Sequence, residues 1–309
     1  QRQMCIRDSI HTLRWDEELC ALYGVPVQAL PQVYMSDGVF GTTDLGGFLG
    51  RAVPICGVLG DSHGALLGQG CFAPGTAKAT YGTGSSVMMQ TGDACIESTG
   101  GLVTSLAWGL SGRVNYVLEG NLNYTGAVIS WLKKDVGLLR TDAESEQLAR
   151  QAHPGDRTYF VPAFTGLGAP YWDSEATGLL TGITRTTGKA EIVRACLDSI
   201  AYQITDLLEC MGRDAALPLA ELRVDGGPTA NRYLMQRQSD LACLPLAVPA
   251  VQELSALGAA RAAAQGAGLC ACKDFGRPAY TRYQPRMEEA ERRALYGGWQ
   301  DAVRRTLYH

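Results

Sequence analysis

Glycine-rich turns between apolar runs constrain the fold of this chain more than any other feature. The 309 residues include 37 glycines, a content that suits tight turns between strands and helices. Glu221 to Val224 is predicted to be a strand, and Gly226-Gly227 and a helix from about Asn231 to Ala242 follow it. Because strands and helices alternate in this way along the chain, the sequence predicts an α/β fold with a mixed sheet.

Hydrophobic spacing predicts most of the helices. The clearest one spans Ile192 to Met211, where apolar residues recur every three or four positions and make one face apolar. Further helices are predicted over His11 to Leu30 (a short one), Gly126 to Asp135, Ala256 to Gly268 and Met287 to Leu307, with a helix start at Ala65 to Gln69.

Short apolar runs predict the strands. The segment from Lys78 to Met89 is predicted to form a strand, a Gly-Thr-Gly turn and a second strand. Two more strands are predicted over Val53 to Leu59 and Asn115 to Glu119. The segment from Val33 to Phe48 is predicted to hold a turn or hairpin.

Composition excludes several classes of partner. The net charge of −4 gives no basic surface for nucleic acid or an anionic membrane. No run of 18 or more apolar residues occurs, so we expect no membrane insertion. Ten scattered cysteines without a C-x-x-C pair favour free thiols and a cytoplasmic location. Cys270 and Cys272 form a C-x-C, which we interpret as small apolar residues rather than a metal or redox site.

Residues 1–9, QRQMCIRDS, lack the apolar core of a signal peptide. They also lie outside the family resemblance described below, which begins at Ile10. We expect them to be a translated read-end or a remnant of cloning, and exclude them from the fold prediction.

The segment Gly60-Asp61-Ser62-His63-Gly64 places a carboxylate between glycines. A carboxylate can take a proton from an attacking hydroxyl group, which predicts a catalytic base at Asp61. An Asp that caps the helix starting at Ser62 to Ala65 accounts for the same local pattern. The residues alone leave both interpretations open.

Two later turns are typical of phosphate and nucleotide contacts. In Ala79-Thr80-Tyr81-Gly82-Thr83-Gly84, glycines allow backbone groups to approach a phosphate closely, although a plain hairpin has the same composition. Asp225-Gly226-Gly227 ends a strand before a helix with Asn231 in its first turn. A helix N-terminus at that point is suitable for binding a nucleotide.

Together with Pro162 to Trp172, these segments resemble, in order and spacing, the second half of the FGGY-family carbohydrate kinases, and within that family the glycerol kinases. The resemblance implies a ribonuclease-H-like, actin-like ATPase fold in two domains. Residues 10–69 would end the N-terminal domain, which supplies the substrate and catalytic Asp loop, and residues 70–309 would form the C-terminal, ATP-binding domain. It also implies ATP and Mg²⁺ as cofactors.

Roles for individual residues follow from the same resemblance. Asp61 falls on the position of the base and, with Ser62, on the substrate contacts. The positions of the family's nucleotide contacts correspond to Thr83, Gly126, Ser130, Gly227 and Asn231. Glu119-Gly120 resembles a further segment near the phosphates. The Tyr171-Trp172-Asp173 cluster is interpreted as structural.

Two departures from the pattern matter for function. Ser130 stands where glycerol kinases usually have Gln, so that nucleotide contact is shortened or lost. Ser62-His63 stands where they have Gln-Gln, which leaves open glycerol, a longer polyol such as erythritol, and a sugar such as xylulose. His63 is interpreted as structural, or alternatively as a donor to a substrate oxygen.

The expected function is ATP-dependent phosphorylation of glycerol or a related polyol. A non-catalytic nucleotide-binding module of the same fold is the alternative from another class. Because the family's first phosphate loop and polyol-holding groups are not in this sequence, we expect little or no kinase activity from this chain alone. The sequence sets no oligomeric state, so self-association stays open.

Overall fold

A computed structural model describes residues 8–276 and 278–307. The expectation for residues 1–9 falls mostly on 1–7, which lie outside the described residues. The helices are α1 Glu17–Leu22, α2 Asp61–Gly68, α3 Gly126–Lys134, α4 Glu144–Gln151, α5 Lys189–Ala215, α6 Arg232–Ala242, α7 Leu254–Gly266 and α8 Glu289–Thr306. Three single 3₁₀ turns lie at Val27–Ala29, Gly227–Ala230 and Cys272–Asp274. No helix in the described part of the chain is long and apolar enough to cross a membrane.

The strands form one large sheet and two small ones. They are β1 Thr42–Thr43, β2 Val53–Pro54, β3 Thr76–Tyr81, β4 Ser85–Gly92, β5 Val103–Leu110, β6 Arg113–Leu122, β7 Tyr159–Val161, β8 Leu179–Thr181, β9 Glu221–Asp225, β10 Leu246–Pro249 and β11 Tyr280–Tyr283. The seven-stranded sheet has the order β11-β10-β9-β3-β4-β6-β5, in which β3, β9 and β10 run parallel and the other pairings are antiparallel. The α/β fold with a mixed sheet is therefore confirmed.

Several predicted boundaries differ from the structure. Helix α2 begins at Asp61, not near Ala65, and the strand predicted over Val53 to Leu59 is only the two-residue β2. The helix predicted over His11 to Leu30 is the six-residue α1 and a separate 3₁₀ turn. Apolar residues in these short segments pack without regular hydrogen-bond ladders, so periodicity overstates the length of the elements.

The two faces of the large sheet are covered by different helices. In β3, Ala77, Ala79 and Tyr81 belong to the main apolar core with residues of α5, α6 and α8. The intervening residues of β3 point to the opposite face, since side chains alternate along a strand. There a smaller cluster joins Leu66 and Leu67 of α2 to Ala262 of α7.

Helices α2 and α7 touch through their backbones. A Cβ atom added to Gly258 of α7 would overlap the carbonyl of Gly64, and one added to Gly68 would overlap the carbonyl of Leu254. Glycine is therefore required at this crossing because no side chain fits between the helices.

A buried carboxylate lies in the main core. Asp206 of α5 accepts hydrogen bonds from the Tyr296 hydroxyl at 2.7 Å, the Trp299 indole at 2.8 Å and the Tyr171 hydroxyl at 2.9 Å. Burial raises the pKa of Asp206 to about 6, and the three donors oppose that rise. The aromatic cluster around Tyr171 thus anchors its loop to the core, as its structural interpretation predicts.

Candidate active site

Asp61 is the first residue of α2 and is exposed. The N-cap position is held by Gly60, whose backbone is extended, and the Asp61 Oδ1 atom accepts the backbone N–H of Ser62 at 2.7 Å. The Ser255 hydroxyl of α7 donates to the Asp61 carbonyl at 2.8 Å. The carboxylate therefore lies at the positive end of the helix, where negative charge is favoured, with its position set by α7.

The Gly82–Gly84 turn and the start of α3 are hydrogen-bonded to each other. The backbone N–H of Gly126 donates to the Gly82 carbonyl at 2.9 Å, and that of Ala127 donates to the Thr83 carbonyl at 3.1 Å. A Cβ atom on Gly126 would lie 2.6 Å from the Gly82 carbonyl oxygen, so a larger residue there would force the two segments apart. Three predicted nucleotide contacts, Thr83, Gly126 and Ser130, line one open pocket of about 370 Å³.

The Asp225-Gly226-Gly227 turn borders the same region. Gly226 has φ of 99°, and a Cβ atom on it would overlap the carbonyl of Tyr81. Pro228, two residues on, lies beside Gly126, since a Cβ there would be 3.8 Å from the proline ring. Gly227 has open space beside it, which leaves room for a ligand.

Asn231 has a structural role that its predicted one did not include. Its Oδ1 atom accepts the backbone N–H of Leu234 at 3.0 Å, which caps α6, and its Nδ2 atom donates to Ser145 Oγ of α4 at 3.2 Å. Asn231 does not line the pocket that Thr83, Gly126 and Ser130 share. The structure thus brings together three of the five predicted nucleotide residues and places Gly227 next to them.

The face of the sheet under α2 is polar at its centre. Lys78 of β3 has no exposed surface, and its Nζ atom donates to Thr80 Oγ1 at 2.9 Å. Burial lowers the pKa of Lys78, while the negative charges of Asp225, Glu119 and Asp61 oppose that shift. Burial likewise raises the pKa of Glu119. The pKa of the buried Lys78 is thus set by burial on one side and by nearby carboxylates on the other.

Some buried polar atoms on this face have no partner among the described residues: Asp225 Oδ1, Gln69 Oε1 and Ser86 Oγ. The other atom of the Asp225 carboxylate accepts from the Gln69 amide at 3.1 Å. Since buried polar groups are nearly always hydrogen-bonded, these atoms mark a place for water or a ligand. In residues 8–276 and 278–307, no group of three or more His, Cys, Asp or Glu side chains is arranged to hold a metal.

The match to known proteins agrees with this geometry. Residues 77–267 match the C-terminal domain of the FGGY family of carbohydrate kinases. The chain belongs to this family. This chain is 47% identical over 301 residues to a glycerol kinase from Carboxydothermus hydrogenoformans, and 45% identical over 302 residues to one from Xanthomonas axonopodis pv. citri. The alignments cover 96% and 97% of this chain but 60% of each relative.

Solved structures support the same assignment. A glycerol kinase from Plasmodium falciparum with ADP superposes with a TM-score of 0.91 at 32% identity, covering 98% of this chain and 62% of the other. A xylulose kinase from Lactobacillus acidophilus gives 0.84 at 23% identity, covering 96% and 61%, which supports the fold alone. The actin-like fold of FGGY kinases is thereby confirmed, and the chain spans about three fifths of the length of these proteins.

His63 and Ser130 lie at the positions where this chain departs from the glycerol kinase pattern. The His63 ring lies 3.4 Å from Ser105 Oγ of β5, with Nε2 as the contacting atom, and lines an apolar groove with Trp108. The structure thus gives the His63 ring a partner in β5. Ser130 lines the pocket that Thr83 and Gly126 share, where its short side chain leaves space.

Sequence reasoning gave no role to Lys78 or Thr80. Lys78 was included only as part of a predicted strand, and Thr80 only as a flank of the glycine turn. A lysine that interrupts a strand between alanines is the signal that identifies this position, because lysine is almost never fully buried unless it is paired.

Proposed function

We propose that this chain is the ATP-binding part of a kinase that transfers the γ-phosphoryl group of ATP to a terminal hydroxyl of glycerol or a related polyol. One observation carries the proposal. The exposed Asp61 carboxylate begins α2, and the Gly82–Gly84 turn is hydrogen-bonded to the start of α3 to form the pocket that Thr83, Gly126 and Ser130 line.

In the proposed reaction, Asp61 accepts the proton of the polyol hydroxyl while the oxygen attacks the γ-phosphorus. The new O–P bond forms as the bond to the β-phosphate oxygen breaks, and ADP leaves. Phosphoryl transfer depends mostly on positioning and on neutralising charge. Thr83, Gly126, Ser130, Gly227 and Asn231 are proposed to position the nucleotide, and Ser62 to contact the polyol beside Asp61.

Mg²⁺ fits this site as a partner of ATP rather than as an ion held by a protein cage. The unpartnered Asp225 Oδ1 is suited to accept from water bound to such an ion. Most of its ligands would be phosphate oxygens and water, as Mg²⁺ prefers. When bound, the ion would neutralise charge that develops on the phosphates.

We also propose the domain arrangement and its consequence. Residues 10–69 would complete an N-terminal domain, and residues 70–309 would form the ATP-binding domain. Since the chain covers 60% of its curated relatives, we expect turnover only from a protein of the relatives' length. Normal turnover by the 309-residue chain would contradict this.

The proposal is tested by ADP release from the full-length enzyme with glycerol, erythritol, xylulose, ribulose and gluconate in turn, with Asp61→Asn as the control. We expect turnover on one substrate and a loss of about 10²–10⁴-fold in the control, the range for removing a general base. ATP binding without stimulation by any substrate would favour a non-catalytic nucleotide-binding module instead.

A second substrate class is favoured by one observation. Ser62 is too short to make the hydrogen bonds of the Gln it replaces, and His63 points towards Ser105. A longer polyol or a ketose would occupy that extra space, and the substrate panel separates these cases. The nine described cysteines are free thiols, which is consistent with the cytoplasmic location we propose.

A further inference from the structure

The hydroxyl group of Thr80 is held by a buried ammonium group. Lys78 Nζ donates to Thr80 Oγ1 at 2.9 Å, and Lys78 has no exposed surface while Thr80 is half-buried. The lysine therefore does not reach solvent, whereas Thr80 is partly exposed.

The chemistry of this pair sets the direction of the hydroxyl. An ammonium has three donors and no acceptor, so the Thr80 oxygen must be the acceptor of their hydrogen bond. The Thr80 hydrogen then points to a different atom. Its donor strength is increased because the cation draws electron density from the oxygen.

Thr80 lies where the strands of the sheet end at the glycine turns. It is paired with Asp225 of β9 and with Ser86 of β4, and both neighbours carry a buried oxygen without a partner among the described residues. Ligands of such sheets bind outside the carboxyl ends of the strands. A row of three oxygen-bearing side chains thus faces the place where a ligand is expected.

The neighbours of Thr80 connect the pair to the Asp225-Gly226-Gly227 turn. Thr80 is paired with Asp225, the last residue of β9, directly before the two glycines of that turn. A ligand oxygen held at this turn is therefore within reach of the Thr80 hydroxyl, and Lys78 acts on it through that hydroxyl.

We propose that Thr80 donates a hydrogen bond to an oxygen of the terminal phosphate of ATP, and that Lys78 is a positioning residue acting through it. The role in transfer rests on the proposed function. The phosphate contact itself requires only that the site binds a nucleoside triphosphate.

The decisive variant is Thr80→Val, which keeps the shape and removes the hydroxyl, with Thr80→Ser as the matched control that keeps it. In the full-length enzyme we expect Thr80→Val to lower kcat by about 10²-fold, the effect of removing one oxyanion donor. It should lower the affinity for a non-hydrolysable ATP analogue, and leave ADP affinity and KM for the polyol unchanged. Unchanged ADP binding also shows that the variant is folded.

Lys78→Met and the double variant test the link between the two residues. If Lys78 acts through Thr80, the double variant loses no more turnover than Thr80→Val alone. Losses that multiply would contradict the positioning role of Lys78. A Thr80→Val enzyme with the turnover and the analogue-to-ADP affinity ratio of Thr80→Ser would overturn the proposal.

Turnover and the analogue-to-ADP affinity ratio, measured together, also separate this inference from the proposed function. If no polyol stimulates ADP release but Thr80→Val still loses preference for the triphosphate analogue, the contact stands and the kinase assignment fails. If the wild type turns over and Thr80→Val matches Thr80→Ser, the kinase assignment stands and the contact fails.

Discussion

The two faces of the seven-stranded sheet use the same strands for different purposes. Towards α5, β3 presents Ala77, Ala79 and Tyr81 to a continuous apolar core. Towards α2, the same strand presents buried Lys78 and half-buried Thr80. One face therefore stabilises the fold by burying apolar side chains, while the other buries a charged group at a cost in stability.

The largest effect is expected on the apolar face. Ile200 of α5 is fully buried in the main core, so Ile200→Ala should lower the free energy of unfolding by about 2–5 kcal/mol. Chemical denaturation of the chain measures this, with Ile200→Val as the milder control at about 0.5–1.5 kcal/mol. Nucleotide affinity per folded molecule should not change, and a large change would break the distinction between the faces.

Asp206 is the charged exception on the apolar face. Asp206→Ala leaves the Tyr171, Tyr296 and Trp299 donors without their acceptor, which should cost about 3 kcal/mol. Thermal or chemical unfolding at pH 7 measures the loss. An unchanged free energy of unfolding would mean that the three donors find other partners.

The pH dependence of stability sharpens this point. Since the folded pKa of Asp206 is raised to about 6, its contribution is fully present below the pKa of an unfolded Asp. It is lost as pH rises through about 6. Unfolding curves between pH 4 and 7 should show that decline in the wild type, and Asp206→Asn should remove it. An equal decline in both would assign the slope to other groups.

On the polar face, the loss of unfolding free energy caused by a substitution should depend on pH. Lys78→Met removes the cation facing Glu119 and Asp225, and so raises the pKa of Glu119 further above its ordinary value. Stability is then lost as Glu119 ionises, and we expect the free energy of unfolding of the variant to be lower by about 1–3 kcal/mol at pH 7 than at pH 4. Ile200→Ala should show no such difference, and a pH-independent loss in Lys78→Met would contradict the charge network.

The smallest effect is expected at the pocket beside the polar face. Ser130→Gln restores the longer side chain of the glycerol kinase pattern and should add a hydrogen bond to the nucleotide, worth about 0.5–1.5 kcal/mol. Calorimetric titration with ADP measures the gain of about 2–12-fold in affinity. Ser130→Ala is the control, and we expect it to leave affinity near the wild type.

Local patterns were sufficient for long elements and for motifs. The hydrophobic periodicity predicted both ends of α5 to within four residues of the observed ones, Lys189 and Ala215. The turn at Gly82–Gly84 was predicted from glycine chemistry. The meeting of that turn with Gly126 in one pocket was expected only from the family resemblance. Their proximity arises from pairing of distant strands, which single-sequence patterns do not encode.

Other features depend on tertiary contacts and could not be predicted. The short β7 and β8 pair and the polar role of Lys78 are set by neighbours far along the chain. The caps of α6 by Asn231 and of α2 by Gly60 depend on the backbone geometry at each helix start, which the sequence does not specify. Asn231 caps a helix and also follows a glycine turn, and its sequence context indicated only the second of these.

The crossing of α2 and α7 makes the two helices a single mechanical unit. Because Gly64, Gly68 and Gly258 bring backbone against backbone, neither helix can rotate or slide without the other. Any movement of α2 must therefore carry α7 with it, and a methyl group at Gly258 would push the two helices apart and displace Asp61 at the start of α2.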